Sequence, residues 1–398
     1  EVIDLLEELG LRRNAFGRPV YDERHLCHSP QERLFIDGHW HDGLLPPIEA
    51  LPASERATTL AQYRRFAAAV AEAGRASRYT LPTARAPWTD TLAALDAVPF
   101  AQWLDAQGLD APALRWFLDY SCRDDYGAGA AMVSAWAGLH YFASRHGFQV
   151  PGDDAPGDPR DAVLTWPEGN AWLVERLAAP WRDRLHTGQV VTRVDEGRHG
   201  VTVSVWNDRL QRAEAWQARH VVLALPLFVA ARLMTAPPAA LLQAAVQVPH
   251  APWLVANLQL TAALTDRPGA PPSWDNVAYG STALGYVDAM HQSTRPHPGP
   301  TVLTAYRALG GDSAAQLRQQ RAQLLNEDWA TWAARVVDEV AVMHPDLRGK
   351  LGRVDLMRYG HAMALPAPGV RGSAALRALA EPSGRVQLAH ADLSGYSV

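Results

Sequence analysis

The sequence predicts an α/β protein in which a block of helices interrupts a strand-rich chain. Three observations predict it. Residues 46 to 148 carry helical periodicity almost without a break. Residues 151 to 159, "PGDDAPGDP", are a linker by composition, and beyond them come apolar runs of strand length bounded by turn residues. The chain closes on one more such run, Val386 to Ala389, followed at once by "HADLSGYSV". That order sets the Asp392 carboxylate just past the end of a buried strand, where open α/β sheets bind their ligands.

The elements follow in order. "VIDLLEELGL" places Val2, Leu5, Leu6 and Leu9 on one helix face. "RLFIDGHW", 33 to 40, alternates like a short strand with a turn at Asp37-Gly38. A helix is predicted over 52–78, opened by Pro52 and Ser54 and closed near Gly74. Two more span 96–107 and 111–120, separated by Gly108, and another covers about 130–144. "TWPEGNAWLVERLAAPW" reads as a loop and a helix. "GQVVTRVDEGRHGVTVSVW" reads as a hairpin turning between Gly197 and Gly200, and "HVVLALPLFVAARLM" as a buried strand, a proline stop and a short helix. Several strands are expected between 250 and 310, and one long helix or a broken pair between 313 and 343.

Composition narrows the function classes. The 398 residues have room for two domains, and 48% apolar residues with a net charge of −5 describe a globular protein. The charge shows no basic stripe, so no nucleic-acid partner is expected. No apolar run approaches the ~20 residues of a transmembrane span, and no signal-type segment is visible, so the expected location is cytoplasmic. Cys27 and Cys122 provide neither a disulfide framework nor a CxxC motif. Lys350 is the only lysine among 37 basic residues, which leaves Schiff-base chemistry a single candidate.

A GxGxxG turn between strand and helix is absent. The nearest match, "GAGAAM" at Gly127–Met132, lacks the third glycine and follows "DYSCRDDY", so it reads as a loosened helix start. Three later segments carry more: "VVTRVDEGRHGVTVSVW", "ARHVVLALPLFVAARL" and "GRVQLAHAD". In order and spacing they resemble the FAD-dependent amine oxidoreductases, the group that includes monoamine oxidases, protoporphyrinogen oxidases and carotenoid desaturases. "LTWPEGNAWLVERLA" resembles the glycine-rich segment and helix that precede them.

The resemblance implies an incomplete Rossmann-like FAD-binding domain and an α+β substrate domain with a mixed or antiparallel sheet and a helical block. Residues 1–45, 160–245 and 383–398 would belong to the FAD-binding domain, and 46–150 and 246–372 to the substrate domain. Val191 takes the place whose backbone meets the adenine, and Ala224-Leu225-Pro226 matches the Ala-x-Pro that ends the next strand. His390, Ala391 and Asp392 take the place beside the ribityl and pyrophosphate, with Ala391 where glycine is more usual. The family's GxGxxG segment is expected before Glu1 and its isoalloxazine-contacting helix after Val398, so the sequence reads as a fragment of a bacterial-type chain.

By the same resemblance, Tyr359 and His361 lie close to the flavin as candidate proton donors or acceptors, and Tyr279, Tyr286 and His291 are candidates to contact substrate. The lysine that many relatives direct at the flavin N5 falls near Val255, where this chain has none. The reaction implied is removal of hydride or electrons from a C–N or C–C bond of a small or lipophilic molecule, with an electron acceptor as second partner.

Other classes stay in view. Gly311-Asp312-Ser313-Ala314-Ala315 is one residue short of a GxSxG elbow, with Asp355 and His390 in hydrolase order, but Ser313 and Gln316 also form a helix cap. His25, Cys27, His28, His39 and His41 are close enough in sequence for a zinc site, although strand alternation suits a buried Trp40 better. A non-catalytic protein retaining the FAD fold is the third alternative. "CRDDYGAG", with Arg123, Asp124, Asp125 and Tyr126, reads as a polar network or, in preference, as a solvated helix end.

Overall fold

The structure is a computed structural model that describes residues 2–27, 32–77, 79–83, 86–145, 147–151, 164–166, 168–292 and 297–395. Helix α1 (Val2–Glu8) precedes a hairpin of β1 (Arg12–Ala15) and β2 (Arg18–Tyr21). A second hairpin, β3 (Glu32–Ile36) and β4 (His39–Asp42), turns at Asp37 and Gly38, both with positive φ. An Asp-Gly pair in that conformation matches the twist of the flanking strands.

The helical block comprises α2 (Ala53–Ser77), α3 (Asp90–Asp96), α4 (Phe100–Ala106), α5 (Pro112–Tyr126) and α6 (Ala135–Ala143). Its core is aromatic, with Tyr63, Phe66, Phe100, Trp136 and Phe142 all buried. The helix expected over 96–107 is divided at Pro99, which biases the preceding residue away from helix. Pro112 in the first turn and left-handed Gly127 just beyond the end bound α5. "GAGAAM" therefore closes a helix.

Helix α7 (Ala171–Ala178) leads to an antiparallel sheet of β5 (Gln189–Glu196), β6 (Val201–Asn207) and β7 (Arg212–Ala218). Next come β8 (Val221–Leu223), α8 (Leu227–Leu233) and α9 (Ala239–Gln247). The remainder is β9 (His250–Leu260), β10 (Asp275–Ala278), β11 (Tyr286–Asp288), β12 (Val302–Ala308), α10 (Ala314–Asn326), α11 (Trp329–Met343), α12 (Leu347–Lys350), β13 (Leu351–Ala364), α13 (Ala374–Ala380) and β14 (Val386–Leu388). Of the two readings of 313–343, one long helix or a broken pair, the structure has the pair, broken where the Asp328 side chain accepts the Thr331 N–H and starts α11.

Seven strands form one mixed sheet in the order β13-β9-β12-β11-β10-β3-β4, parallel only between β10 and β3. One face is buried under α11, with Leu254, Leu258, Leu303, Trp332 and Val336 in a single core. The opposite face receives α5. β3 and β4, expected with 1–45 in the FAD-binding part, form the edge of the seven-stranded sheet. Their partner β10 lies far along the chain, so no local pattern announces the pairing. β8 and β14 form a separate parallel pair beside α8, α9 and α13, whose buried faces share a core with β5 and β6.

Candidate functional site

Strand alternation gives β9 two faces. Leu254, Ala256, Leu258 and Leu260 are buried toward α11, and Trp253, Val255 and Asn257 take the other side. Register carries that second side across the sheet. Val255 lies between Met357 and Tyr306. Asn257 lies beside Thr304, Thr304 beside Val287, Val287 beside Asp275 and Asp275 beside Glu32. Three strand spacings, roughly 14 Å, therefore separate the strand of Val255 from that of Asp275.

Helix α5 covers part of this face. Trp116 and Tyr120 pack on Leu34, Val277 and Ala308, and the Tyr120 hydroxyl donates to the Leu284 carbonyl at 3.3 Å. Asp124 comes one helical turn after Tyr120, on the same stripe. Glu32, Asp124 and Asp275, from three distant segments, thereby meet between α5 and the sheet.

All three carboxyls are pushed up. For Asp275 burial is the main cause, followed by Asp124 and Glu32. For Asp124 burial, then Asp125 and Glu32, raise it to about 7. For Glu32 burial comes first and Asp42 second. Among the described residues none of the three has an ion-pair partner; nearby Arg145 pairs with Asp125 at 3.2 Å and lies over the Tyr141 ring. Glu32 and Asp124 keep accessible surface even though enough protein surrounds them to penalise their charge. The three form a carboxylate cluster, the recess, that is half-buried at Asp275 and open to solvent at Glu32 and Asp124. Tyr120, Tyr141 and Tyr306 are raised as well, by burial first and by these carboxylates next.

A second feature lies at the carboxyl ends of parallel β8 and β14. β8 runs into Ala224-Leu225-Pro226 and α8; β14 runs into Ala389-His390-Ala391 and the 3-10 turn Ala391–Ser394. Ala224, Ala389 and Ala391 are exposed, as are Val190 and Val191 on β5. Small side chains at strand ends let a ligand approach the backbone, and open apolar surface suits an aromatic ring system, so these residues fit a dinucleotide.

Asp392 behaves otherwise than expected. It is 1% exposed and turned inward: Oδ2 accepts the Leu227 N–H at 2.9 Å, and both oxygens lie 3.1 Å from His250 Nε2. The exposed residues of this stretch are Ala389 and Ala391, with His390 half-buried between them.

Tyr359 is 44% exposed opposite Trp253, on the face of Val255. His361 follows within a bulge of β13 and lies 4.8 Å from the Phe228 ring and 6.2 Å from that of His250. Burial, then Arg321, His250 and Arg232, lower its pKa below the usual histidine value. The structure thus brings both residues to the edge of the sheet near α8. Tyr279 and Tyr286 are separated. Tyr279 meets the Trp116 ring at 4.8 Å beside α5, whereas Tyr286 is buried on the other face, 2.6 Å from His344 Nε2. Period-two alternation in a short strand turns Tyr286 into the α11 core, on the face opposite Tyr279 and Val255. His291 has its backbone in a 3-10 turn, and its side chain lies outside the described residues.

Among the described residues the rival sites are not assembled. Ser313 caps α10, its hydroxyl accepting the Gln316 N–H at 3.2 Å, while Asp355 is held by Arg353 and His390 by Asp392. His25 packs on Trp166 and Trp172, His39 is near the Asp37 carbonyl, and His28 lies outside the described residues. Among the described residues no group of three His, Cys, Asp or Glu could hold a metal ion, and no helix is long and apolar enough to cross a membrane. Sequence reasoning missed Glu32, Asp275 and His250. Asp124 was visible in "CRDDYGAG", but nothing local distinguishes a recess carboxylate from a solvated one.

The profile of one protein family, described as flavin containing amine oxidoreductase, matches residues 1–397. Comparison with curated proteins finds no match. Among solved structures, cyclohexylamine oxidase from Brevibacterium oxydans IH-35A is 18% identical, with a TM-score of 0.63 over 99% of this chain and 81% of its own. Putrescine oxidase bound to putrescine is 17% identical, with a TM-score of 0.62 over 99% and 80%. A fatty acid isomerase from P. acnes is 12% identical, with a TM-score of 0.58 over 98% and 78%. At these identities the likeness is one of fold.

Proposed function

The chain belongs to the flavin-containing amine oxidoreductases, and from that premise we propose that it takes a hydride from the carbon beside the nitrogen of a cationic amine. It is a flavin-dependent oxidoreductase with FAD as its cofactor. Bound FAD supplies the two-electron acceptor. Val191, Ala224, Pro226, His390 and Ala391 would hold its adenine and its ribityl-phosphate chain. The family assignment, with Ser313 serving as a helix cap, argues against the serine-hydrolase alternative.

The observation that carries the C–N reading is the carboxylate recess. Among the described residues Glu32, Asp124 and Asp275 have no ion-pair partner, Arg123 and Arg145 favouring the charged form of Asp124 without pairing with it, and the three face the side of the sheet that carries Val255, where relatives place their flavin-directed lysine. An ammonium group about 4 Å from one carboxylate gains roughly 4 kcal/mol at the effective dielectric of a partly screened site. A neutral lipophilic substrate gains nothing there and leaves the carboxyls desolvated. Tyr120, Tyr141 and Tyr306 add aromatic walls, which also favour a cation.

Proton handling falls to the other end of the face. His361, held neutral near pH 7 by its burial and its cationic neighbours, can accept the proton of the nitrogen that reacts beside Val255, a different group from a cation held by the carboxylates roughly 14 Å away, and Tyr359 stands beside it on β13. Lys350 takes no part, being bonded to Asp346 and the Ala263 carbonyl.

The test is anaerobic reduction of the FAD-loaded protein by a panel of amines, diamines and neutral alkenes, followed by loss of flavin absorbance. Bleaching by protonated amines supports the reading. Bleaching by alkenes with amines inert would replace it with C–C chemistry.

A further inference from the structure

The flavin reading leaves Asp392 unexplained, because a residue expected against the cofactor has both oxygens committed inside the protein. Three elements converge on that one carboxylate. Its own turn displays His390 and Ala391 at the carboxyl end of β14. Leu227, whose N–H it accepts, starts α8 directly after Ala224-Leu225-Pro226 at the end of β8. His250 is the first residue of β9, and the same strand carries Trp253 and Val255 on the recess face. The backbone of β9 is fixed in turn by Arg321 of α10, which donates to the His250 carbonyl and, at 2.7 Å, to that of Gly360 in the β13 bulge. Phe228 of α8 stands edge-on to the His250 ring at 5.0 Å.

We infer that Asp392 and His250 form a latch that keeps the two halves of the cofactor site in register, Asp392 acting as a positioning residue through His250 and not as a ligand to the flavin. This rests on the flavin reading proposed above. The strand ends that would carry the dinucleotide chain and the sheet face that would carry the reacting ring lie on different sheets, with no strand pairing between β8–β14 and the seven-stranded sheet. Their relative placement must come from side chains. A carboxylate accepting one backbone N–H and the His250 N–H, with His390 Nδ1 also 3.1 Å from Oδ1 and accepting the Asp392 N–H, is directional in a low-dielectric junction and is costly to break on one side only. The geometry excludes simultaneous service as a ligand: the side chain is 1% exposed.

The experiment is FAD titration of the full chain by fluorescence quenching, in the unchanged protein and in Asp392→Asn, His250→Phe, His250→Gln and the Asp392→Asn/His250→Phe double variant. Visible circular dichroism at saturating FAD reports the setting of the bound flavin. Each of the first two substitutions should weaken FAD binding about tenfold or more and alter the dichroism. The double variant should be no weaker than the singles, since both remove one interaction. His250→Gln, whose amide nitrogen falls near the position of Nε2, should restore affinity to within about threefold together with the original dichroism. If His250→Phe fails to fold, His250→Gln against His250→Asn gives the same comparison, because the shorter amide falls near Nδ1 and cannot reach Asp392.

Full affinity and unchanged dichroism without the imidazole would overturn the latch, as would losses that multiply in the double variant, which is the behaviour of a direct ligand. A loss of thermal stability with the bound flavin's dichroism intact would also overturn it, reducing the pair to ordinary packing. Failure of the unchanged protein to bind FAD is a different result, and it removes the flavin reading itself.

Discussion

Asp124 illustrates how a surface-looking acid becomes a functional group once its neighbours arrive. Its pKa of about 7 has burial as first cause and the charges of Asp125 and Glu32 next. A bound ammonium opposes all of these, so binding draws the proton off Asp124. Amine affinity should therefore strengthen as pH rises through about 7. Measured between pH 6 and 9, KM for an amine should fall across that range, and Asp124→Asn should raise KM about tenfold and flatten the profile. A KM indifferent to both pH and the substitution would remove Asp124 from the site. At the same scale, Tyr279 and Tyr286 show that a turn-rich stretch of aromatics does not reveal which rings share a face.

At the scale of the element, α5 carries the site and Gly127 sets where it ends. Gly127 has φ of +83°, and a Cβ there would stand 2.5 Å from the Ala251 Cβ of β9. Gly127→Ala should cost more than the roughly 1–2 kcal/mol of a left-handed residue with a side chain, because the contact also forces α5 from the sheet. Urea unfolding would measure it, and a loss below about 0.5 kcal/mol would mean that the junction yields. Ser313 gives the contrasting case. As the cap of α10 its replacement by alanine should cost about 1 kcal/mol while flavin content and amine turnover stay unchanged. Labelling of Ser313 by a fluorophosphonate would contradict the capping role. The cap was legible in the sequence, since Ser313 and Gln316 have the right spacing, whereas the steric need for Gly127 was not, because Ala251 is remote in the chain.

For the molecule as a whole, the perturbed carboxyls act on stability with opposite signs. Asp124, Asp275 and Glu32 are raised, so the stability linked to their neutral forms is fully present below the ordinary carboxylate range near pH 4 and is lost as pH rises, for Asp124 through about 7. Asp392 is lowered: burial works upward, but the His250 and Leu227 hydrogen bonds outweigh it. Its contribution is present above the ordinary value and is lost as pH falls through its folded pKa. The flavin-free protein should accordingly lose thermal stability from pH 5 to pH 8, and Asp124→Asn should lose less. Melting curves of the two proteins that run parallel across that interval would refute the assignment.

By itself the sequence determined what depends on neighbours a few residues apart. Helical periodicity placed α2, the Asp37-Gly38 turn placed the β3–β4 hairpin, and the strand, proline and helix around Pro226 were readable because propensity and capping act locally. The ordered segments from Val191 to Asp392 were enough to suggest the family. Tertiary structure alone decided that β3 pairs with β10, that Glu32, Asp124 and Asp275 face one another, that Tyr286 points into the core, and that Asp392 turns inward to His250. Each of those outcomes is a choice of face or register, and a side chain's face is set by the burial of partners brought from elsewhere in the chain.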